Sequence, residues 1–399
     1  MDFRPFIAVT GGYTSGLSGV SVNPNGNTVN DHSFGLQLNG GVSGVHSWKH
    51  VKLGIDYHAS LRHNPSYSYY DGTNQMLSLS VTDRVSRHAT LVLRESAGLM
   101  SNNFSLPTLD SALAFDPSTA YIPSNDFYDN RTIFMSTQAD LTLQRSARMS
   151  FDFGGDGFLQ RRRSSALFGV TGAGARGDMQ YRLTRRSTIG AGYQYAHYSY
   201  TGIFSSTDLH SLVATYALQL THSLEFSGYA GASRLETKFV QLVPLDPAIA
   251  ALLGIGSFRS VAYTRRYVPN VLGRLSYTVR HGVFSLLAGR TVMPGNGVFL
   301  TSTSTHAMVG YAYTGLKRWS VNTSLGYTRA SSLANVVGRY GGYQGHASLS
   351  RQLIKNTHGT LSAFFNKYES PSFNNYNRWT YTVQLGFAFA PGDVALRLW

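Results

Sequence analysis

The closing stretch WTYTVQLGFAFAPGDVALRLW, residues 379–399, carries the decisive pattern. Trp379, Tyr381, Val383, Leu385, Phe387 and Phe389 take every second position, with Thr380, Thr382, Gln384, Gly386 and Ala388 between them. A period of two places these sets on opposite faces of a β-strand. One face is apolar and aromatic while the other is small and polar, so the two faces meet different solvents. Pro391, Gly392 and Asp393 then interrupt the strand, and the chain runs on to a second aromatic end at Trp399.

The same alternation recurs upstream. In VKLGIDYHASLR, Val51, Leu53, Ile55, Tyr57, Ala59 and Leu61 oppose Lys52, Gly54, Asp56, His58, Ser60 and Arg62. RTIFMSTQADLTLQ sets Ile133, Met135, Ala139, Leu141 and Leu143 against Ser136, Gln138, Asp140, Thr142 and Gln144. SLVATYALQL and WSVNTSLGYT repeat the pattern around Leu212 and Val321. Between such segments stand short, mostly basic connectors at 48–50, 84–88, 145–148, 185–187, 221–223, 280–282, 317–318 and 355–358. Longer stretches rich in Asn, Ser, Pro and Asp separate them: 15–31, 63–74, 101–130, 238–260 and 370–377. Short turns at one end and long loops at the other describe an antiparallel up-and-down barrel. Eight tight turns join sixteen strands, and one strand at each terminus brings the total to about 18. Sixteen or 14 strands stay open, because Gly-rich runs such as 169–177 have a poor strand signal. The whole of 1–399 reads as one all-β barrel domain, with 391–399 a short tail on the side of the tight turns.

Composition narrows the solvent question. The 399 residues include 25 Tyr, 22 Phe and 41 Gly, and only 14% are charged, against about a quarter in soluble domains. Cysteine is absent, which excludes disulfides and thiolate metal sites. No apolar run approaches the roughly 18 residues of a membrane-spanning helix. The start, MDFRPFIAVTGGY, alternates as a strand and lacks the layout of a signal peptide, so an exported form is expected to carry a leader that is not in this sequence. The net charge of +14 raises a nucleic-acid reading, but the bases are dispersed over turns and strands and form no single long patch. A soluble β-sandwich or propeller would also alternate. Two features favour a membrane barrel instead: the number of long alternating strands, and the Tyr and Trp that crowd strand ends, such as Tyr193, Tyr195, Tyr198 and Tyr200, or Tyr311, Tyr313 and Trp319.

Gly–aromatic pairs recur within the strands: GYQY at 192–195, GYAY at 310–313, GYT at 326–328 and GFAF at 386–389. With them the chain resembles the Gram-negative outer-membrane β-barrels of porin-like type. The resemblance implies residence in the bacterial outer membrane, with its lipid, lipopolysaccharide and assembly machinery as partners, and no cofactor. Gln384, Gly386, Phe387 and Phe389 match the terminal assembly signal of such proteins. Family members usually stop at the final aromatic, whereas ten residues follow here; GFAF is the preferred signal, with Trp399 as an interfacial anchor.

If the apolar faces meet lipid, the polar ones line the interior, since Lys or Arg at the bilayer midplane costs about 2–4 kcal/mol. The expected pore-lining residues are Lys52, Asp56, His58, Arg62, Arg84, Arg94, Asp152, Asp156, Arg176, Asp178, Arg182, Glu225, Arg274 and Arg290. A barrel this wide is not filled by side chains. Residues 101–130 and 238–260 are the loops expected to narrow it, the second with a short helix at 247–253. Bases outnumber acids in the set, which points to a passive pore for small hydrophilic, anionic solutes. Alternatively, the arginines pair with acids such as Asp156 and Asp178 and stiffen the wall. A second function is export of an acidic exopolysaccharide. A barrel-embedded hydrolase or an adhesin is a weaker reading: His197 with Ser199, His210 with Ser211, and His306 with Ser304 have no visible third partner. The 13 His do not fall at metal-ligand spacing, and the glycines at 172–177 precede no helix pattern, so neither a metal nor a nucleotide is expected.

Overall fold

A computed structural model describes residues 2–16, 32–65, 71–100, 131–246, 248, 252, 254, 256–295, 297, 300–313, 315–333, 339–370, 376–390 and 396–397. Its strands in chain order are β1 (Asp2–Ser15), β2 (His32–Ser47), β3 (Val51–His63), β4 (Gly72–Asp83), β5 (Ala89–Met100), β6 (Thr132–Gln144), β7 (Met149–Arg162), β8 (Gly169–Arg182) and β9 (Ser187–Thr201). There follow β10 (Ser205–Gln219), β11 (Leu224–Pro244), β12 (Ser257–Val279), β13 (Gly282–Met293), β14 (Ser302–Tyr313), β15 (Trp319–Ser332), β16 (Arg339–Ile354), β17 (Thr357–Ser370), β18 (Tyr376–Phe389) and the two-residue β19 (Leu396–Arg397). Each strand pairs antiparallel with its chain neighbours, and β18 returns to β1 with Ile7 opposite Phe389 and Ser15 opposite Tyr381. Strands β1–β18 therefore close an 18-stranded barrel without a free edge, the form in which sheet backbone is satisfied inside lipid. Leu396 and Arg397 add a short pairing to Phe3 and Asp2, so part of the tail joins the sheet. Trp399 lies outside the described residues.

Exposure follows the alternation. On β18, Trp379, Tyr381, Val383, Leu385, Phe387 and Phe389 are exposed on the outer face, while Arg378, Thr380 and Thr382 are buried on the inner one. The cross-strand registers carry this outward set around the barrel, through Val9 and Leu38 to Leu61, Val81, Leu93, Leu141 and Phe153. All eight expected tight turns are present. In four of them a hydroxyl caps the bend. Ser146 accepts from the N–H groups of Arg148 and Met149, Thr184 from Arg186 and Ser187, Thr221 from Ser223 and Leu224, and Ser86 from His88, all at 3.0–3.2 Å. The basic residues of these turns thus sit on a hydroxyl-capped hairpin.

Glycine and aromatic residues meet across strands. The rings of Phe6, Phe134, Phe158 and Phe365 lie over Gly41, Gly98, Gly172 and Gly345 on the facing strands, where an added Cβ would fall within 2.7 Å of a ring carbon. This accounts for residues 169–177: the run forms β8 despite its glycines, because Phe158 and Tyr198 cover Gly172 from both sides. A second departure concerns 238–260. Much of it is ladder, with β11 reaching Pro244 and β12 starting at Ser257, and Lys238 opposite Tyr263. Of 247–253 only Ala248 and Leu252 are described, and both are helical. The expected loop 101–130 lies outside the described residues.

Candidate functional site

The register places twelve of the fourteen expected lining residues on the inner wall. Lys52, Asp56, His58 and Arg62 project from β3, Arg94 from β5, Asp152 and Asp156 from β7, Arg176, Asp178 and Arg182 from β8, Glu225 from β11, and Arg274 from β12. Arg84 lies one residue past β4 in the tight turn, where its N–H donates to the His50 carbonyl at 2.9 Å. Arg290 faces outward: it stands opposite Val271 and Thr305 and shares its face with Leu286, which is 41% exposed. The segment SLLAGR explains the difference. Leu286 and Ala288 alternate with Leu287 and Gly289, so both faces read as apolar and the pattern gives no polarity. Of the residues expected to form an assembly signal, Gln384 and Gly386 face inward and Phe387 and Phe389 outward, on the strand that closes the barrel.

The inner wall from β5 to β12 forms a recess of about 530 Å³. Arg94, Arg176 and Arg274 reach it, as do Asp140, Asp152 and Asp178, with Gln138, Gln180, Thr188 and Tyr229 between them. Two of the three acids are engaged, while Asp178 has no hydrogen-bond or ion-pair partner among the described residues. The Arg176 guanidinium donates to Asp140, with both side chains about one-fifth exposed, and the Thr142 hydroxyl donates to Asp152 at 2.6 Å. On β3, Asp56 pairs with His58. By contrast, among the described residues Arg94 and Arg274 have no carboxylate in ion-pair reach. Asp140 belongs to this site although the expected set omits it. Its position in the alternating stretch 131–144 places it on the polar face, which was the available signal.

Nearer the long loops the wall changes character. Inward-facing Val170, Tyr198, Leu209, Leu235 and Val268 are buried in one apolar cluster with Tyr200 and Val292, and Phe158, Ile203, Leu300 and Leu333 pack against it. The described residues Pro294, Gly297, Leu300 and Thr301 lie against this part of the wall. Pairing of β12 with β13 stops at Arg290, and the chain after Met293 turns into the barrel. There the Tyr200 hydroxyl donates to the Pro294 carbonyl at 2.9 Å and lies 2.6 Å from Thr301 Oγ1, which donates to Thr207 Oγ1 at 2.7 Å. The Phe168 N–H donates to the Gly297 carbonyl at 3.0 Å. Gly297 has φ +89°, and an added Cβ would lie 2.4 Å from the Arg162 side chain, so only glycine fits. These residues tie the end of β13 to β7–β10 on the inner side of the wall, and they belong to neither of the two loops expected to narrow the lumen. The sequence signal was a reversal of faces. Above Leu212 the inward positions become apolar (Leu209, Leu235, Val268) and the outward ones polar (Asp208, His210, Arg234, Glu236), as in strands that have left the bilayer.

The Ser/His pairs do not converge. His197, Ser199 and His210 face outward, while Ser211, Ser304 and His306 face inward. His210 and its neighbour Ser211 therefore stand on opposite sides of the wall.

No protein-family model matches this sequence, and no curated protein matches it. Among solved structures the fold is similar to Pseudomonas aeruginosa OccK2 (OpdF) in complex with glucuronate, at 11% identity over 98% of each chain and a TM-score of 0.47. It is likewise similar to a BenF-like porin from Pseudomonas fluorescens, at 12% identity over 98% of this chain and 99% of the other, TM-score 0.47. The FrpB iron transporter of Neisseria meningitidis gives 8% identity over 98% and 81%, TM-score 0.49. In its architecture the chain is a closed, antiparallel, 18-stranded up-and-down β-barrel.

Proposed function

We propose that the protein is a channel of the bacterial outer membrane for passive diffusion of small hydrophilic solutes, with a preference for anions. The observation that carries this is the balance of the recess: Asp140 is taken up by Arg176 and Asp152 accepts from Thr142, so two arginines without carboxylate partners among the described residues, Arg94 and Arg274, stand against one unpartnered acid, Asp178. A solute carboxylate or phosphate entering the recess meets guanidinium groups with unused donors, and bidentate pairing suits their geometry. The net charge of +14 adds a field of the same sign. An 18-stranded wall leaves room for water beside the inward segment. The wall pairing expected from the sequence named Asp156 and Asp178, whereas Arg176 pairs with Asp140; stiffening and selectivity then fall to different arginines.

The purified protein inserted into planar bilayers is expected to show stepwise conductance and a reversal potential favouring chloride over potassium in a salt gradient. Replacing Arg94 and Arg274 together with alanine should move the reversal potential towards the cation side at unchanged frequency of insertion. A cation-selective wild-type channel would overturn the anionic preference, and absence of conductance at every voltage would overturn the channel itself.

A further inference from the structure

The registers of β9–β12 give the height at which the outer wall leaves the bilayer. Tyr193, Leu212, Ala232 and Pro269 lie side by side on the outward face, with the small or apolar Ala191, Ala214, Ala230 and Val271 beneath them. The next outward row is Tyr195, His210, Arg234 and Tyr267, and above it come His197, Asp208, Glu236 and Arg265. A third row holds Lys238 beside Tyr263. The switch from apolar to charged takes one row, about ten residues above the tight turns, which matches an apolar band about 25 Å tall crossed by tilted strands. The charged rows thus stand at the headgroup level of the leaflet on the long-loop side.

Their chemistry is selective. Glu236 accepts from both Arg234 and Arg265, the latter through Nε at 3.0 Å, so one carboxylate holds two guanidiniums side by side. Each guanidinium has five N–H donors, and this pairing leaves most of them unused. The Lys238 ammonium lies 5.9 Å from the centre of the Tyr263 ring, and Tyr263 and Tyr267 are 72% and 69% exposed. Three cations stand against two carboxylates, of which Asp208 is occupied by the Tyr195 hydroxyl and His197, and with the two exposed rings they form an anion cradle with an amphipathic floor. It faces the lipid, on the side of the wall away from the lumen, so solutes in the channel do not reach it.

We propose that this face of β11–β12 binds the phosphorylated sugar headgroup of an anionic glycolipid in the surrounding leaflet, with Arg234, Arg265 and Lys238 on the phosphate and Tyr263 and Tyr267 against the sugar and upper acyl chains. The inference rests on the outer-membrane reading above, and its test is independent of conductance. The folded protein in neutral detergent is mixed with bisphosphorylated lipid A or with the same lipid stripped of phosphate, and retained lipid is read by native mass spectrometry. The wild type should keep the phosphorylated lipid and lose the stripped one. The Arg234→Gln, Lys238→Gln, Arg265→Gln triple variant should retain it about tenfold less or weaker still. Lys238→Glu leaves the Arg234–Glu236–Arg265 arrangement intact and should weaken retention as well, which keeps the test decisive if the triple variant folds poorly. Equal retention of the two lipids, equal retention by wild type and variants, or displacement of the lipid by millimolar inorganic phosphate would each overturn the proposal. Because the substituted residues lie outside the lumen, conductance should be unchanged in all variants. A conducting protein that fails the lipid test disproves this site and leaves the channel standing.

Discussion

Gly386 has no room for a methyl group: its Cβ would fall 2.4 Å from both Thr10 Cγ2 and the Val9 carbonyl across the closing seam. Gly345 is similarly placed under the Phe365 ring. Gly386→Ala should therefore cost about 1–3 kcal/mol through overpacking, seen as a lower temperature at which the folded barrel loses its fast gel mobility. Gly256 is the control, since nothing lies within 4 Å of its Cβ position; Gly256→Ala should be neutral or slightly stabilising in the same assay. The repeated Gly–aromatic dipeptides were visible in the sequence. That a glycine on one strand serves as the seat for a ring on another depends on register, which no single strand discloses.

At the scale of elements, the hairpins and the inward segment obey different rules. The hairpins are local: Thr184 and Thr221 cap their own turns, and replacing either with alanine should lower stability by about 0.5–1.5 kcal/mol per lost cap, read by the same mobility shift. The inward segment is held from far along the chain, with Tyr200 joined to Pro294 and Thr301. Tyr200→Phe removes both hydrogen bonds and leaves the buried Pro294 carbonyl without this donor, a loss of about 1–3 kcal/mol concentrated on one short tether. The expected outcome is a larger and noisier single-channel conductance with the barrel itself still resistant to proteolysis. Unchanged conductance would mean that the segment does not limit flow. The alternation in β9–β12 displayed the cause of this packing, because apolar residues had moved to the inward face. Which stretch covers them could not be read, since the apolar run in 294–301 is only three residues, Val298 to Leu300, too short to show a period or a direction.

The whole molecule is decided by closure. Ala8 and Ala388 are direct partners across β1 and β18, and the chain has no native cysteine. Directly opposed strand residues lie about 4.5–5.5 Å apart between Cα atoms, within the range a disulfide spans. Ala8→Cys with Ala388→Cys should cross-link on mild oxidation of the folded protein, visible as altered mobility of the heat-denatured chain. Ala8→Cys with Phe387→Cys should not, because that slip of one residue puts the thiols on opposite faces. A reversed result would mean that the barrel closes in another register. What the sequence determined by itself is the class of solvent on each face, the strands, the eight tight turns and the terminal strand that closes the ring, because each is encoded in a local period or a turn. What only the tertiary structure decided is the outward position of Arg290, the engagement of Asp140 by Arg176, the inward segment at 294–301 and the charged rows on the outer rim. Those rest on which residues stand opposite one another across strands distant in the chain, and on where the wall leaves the bilayer.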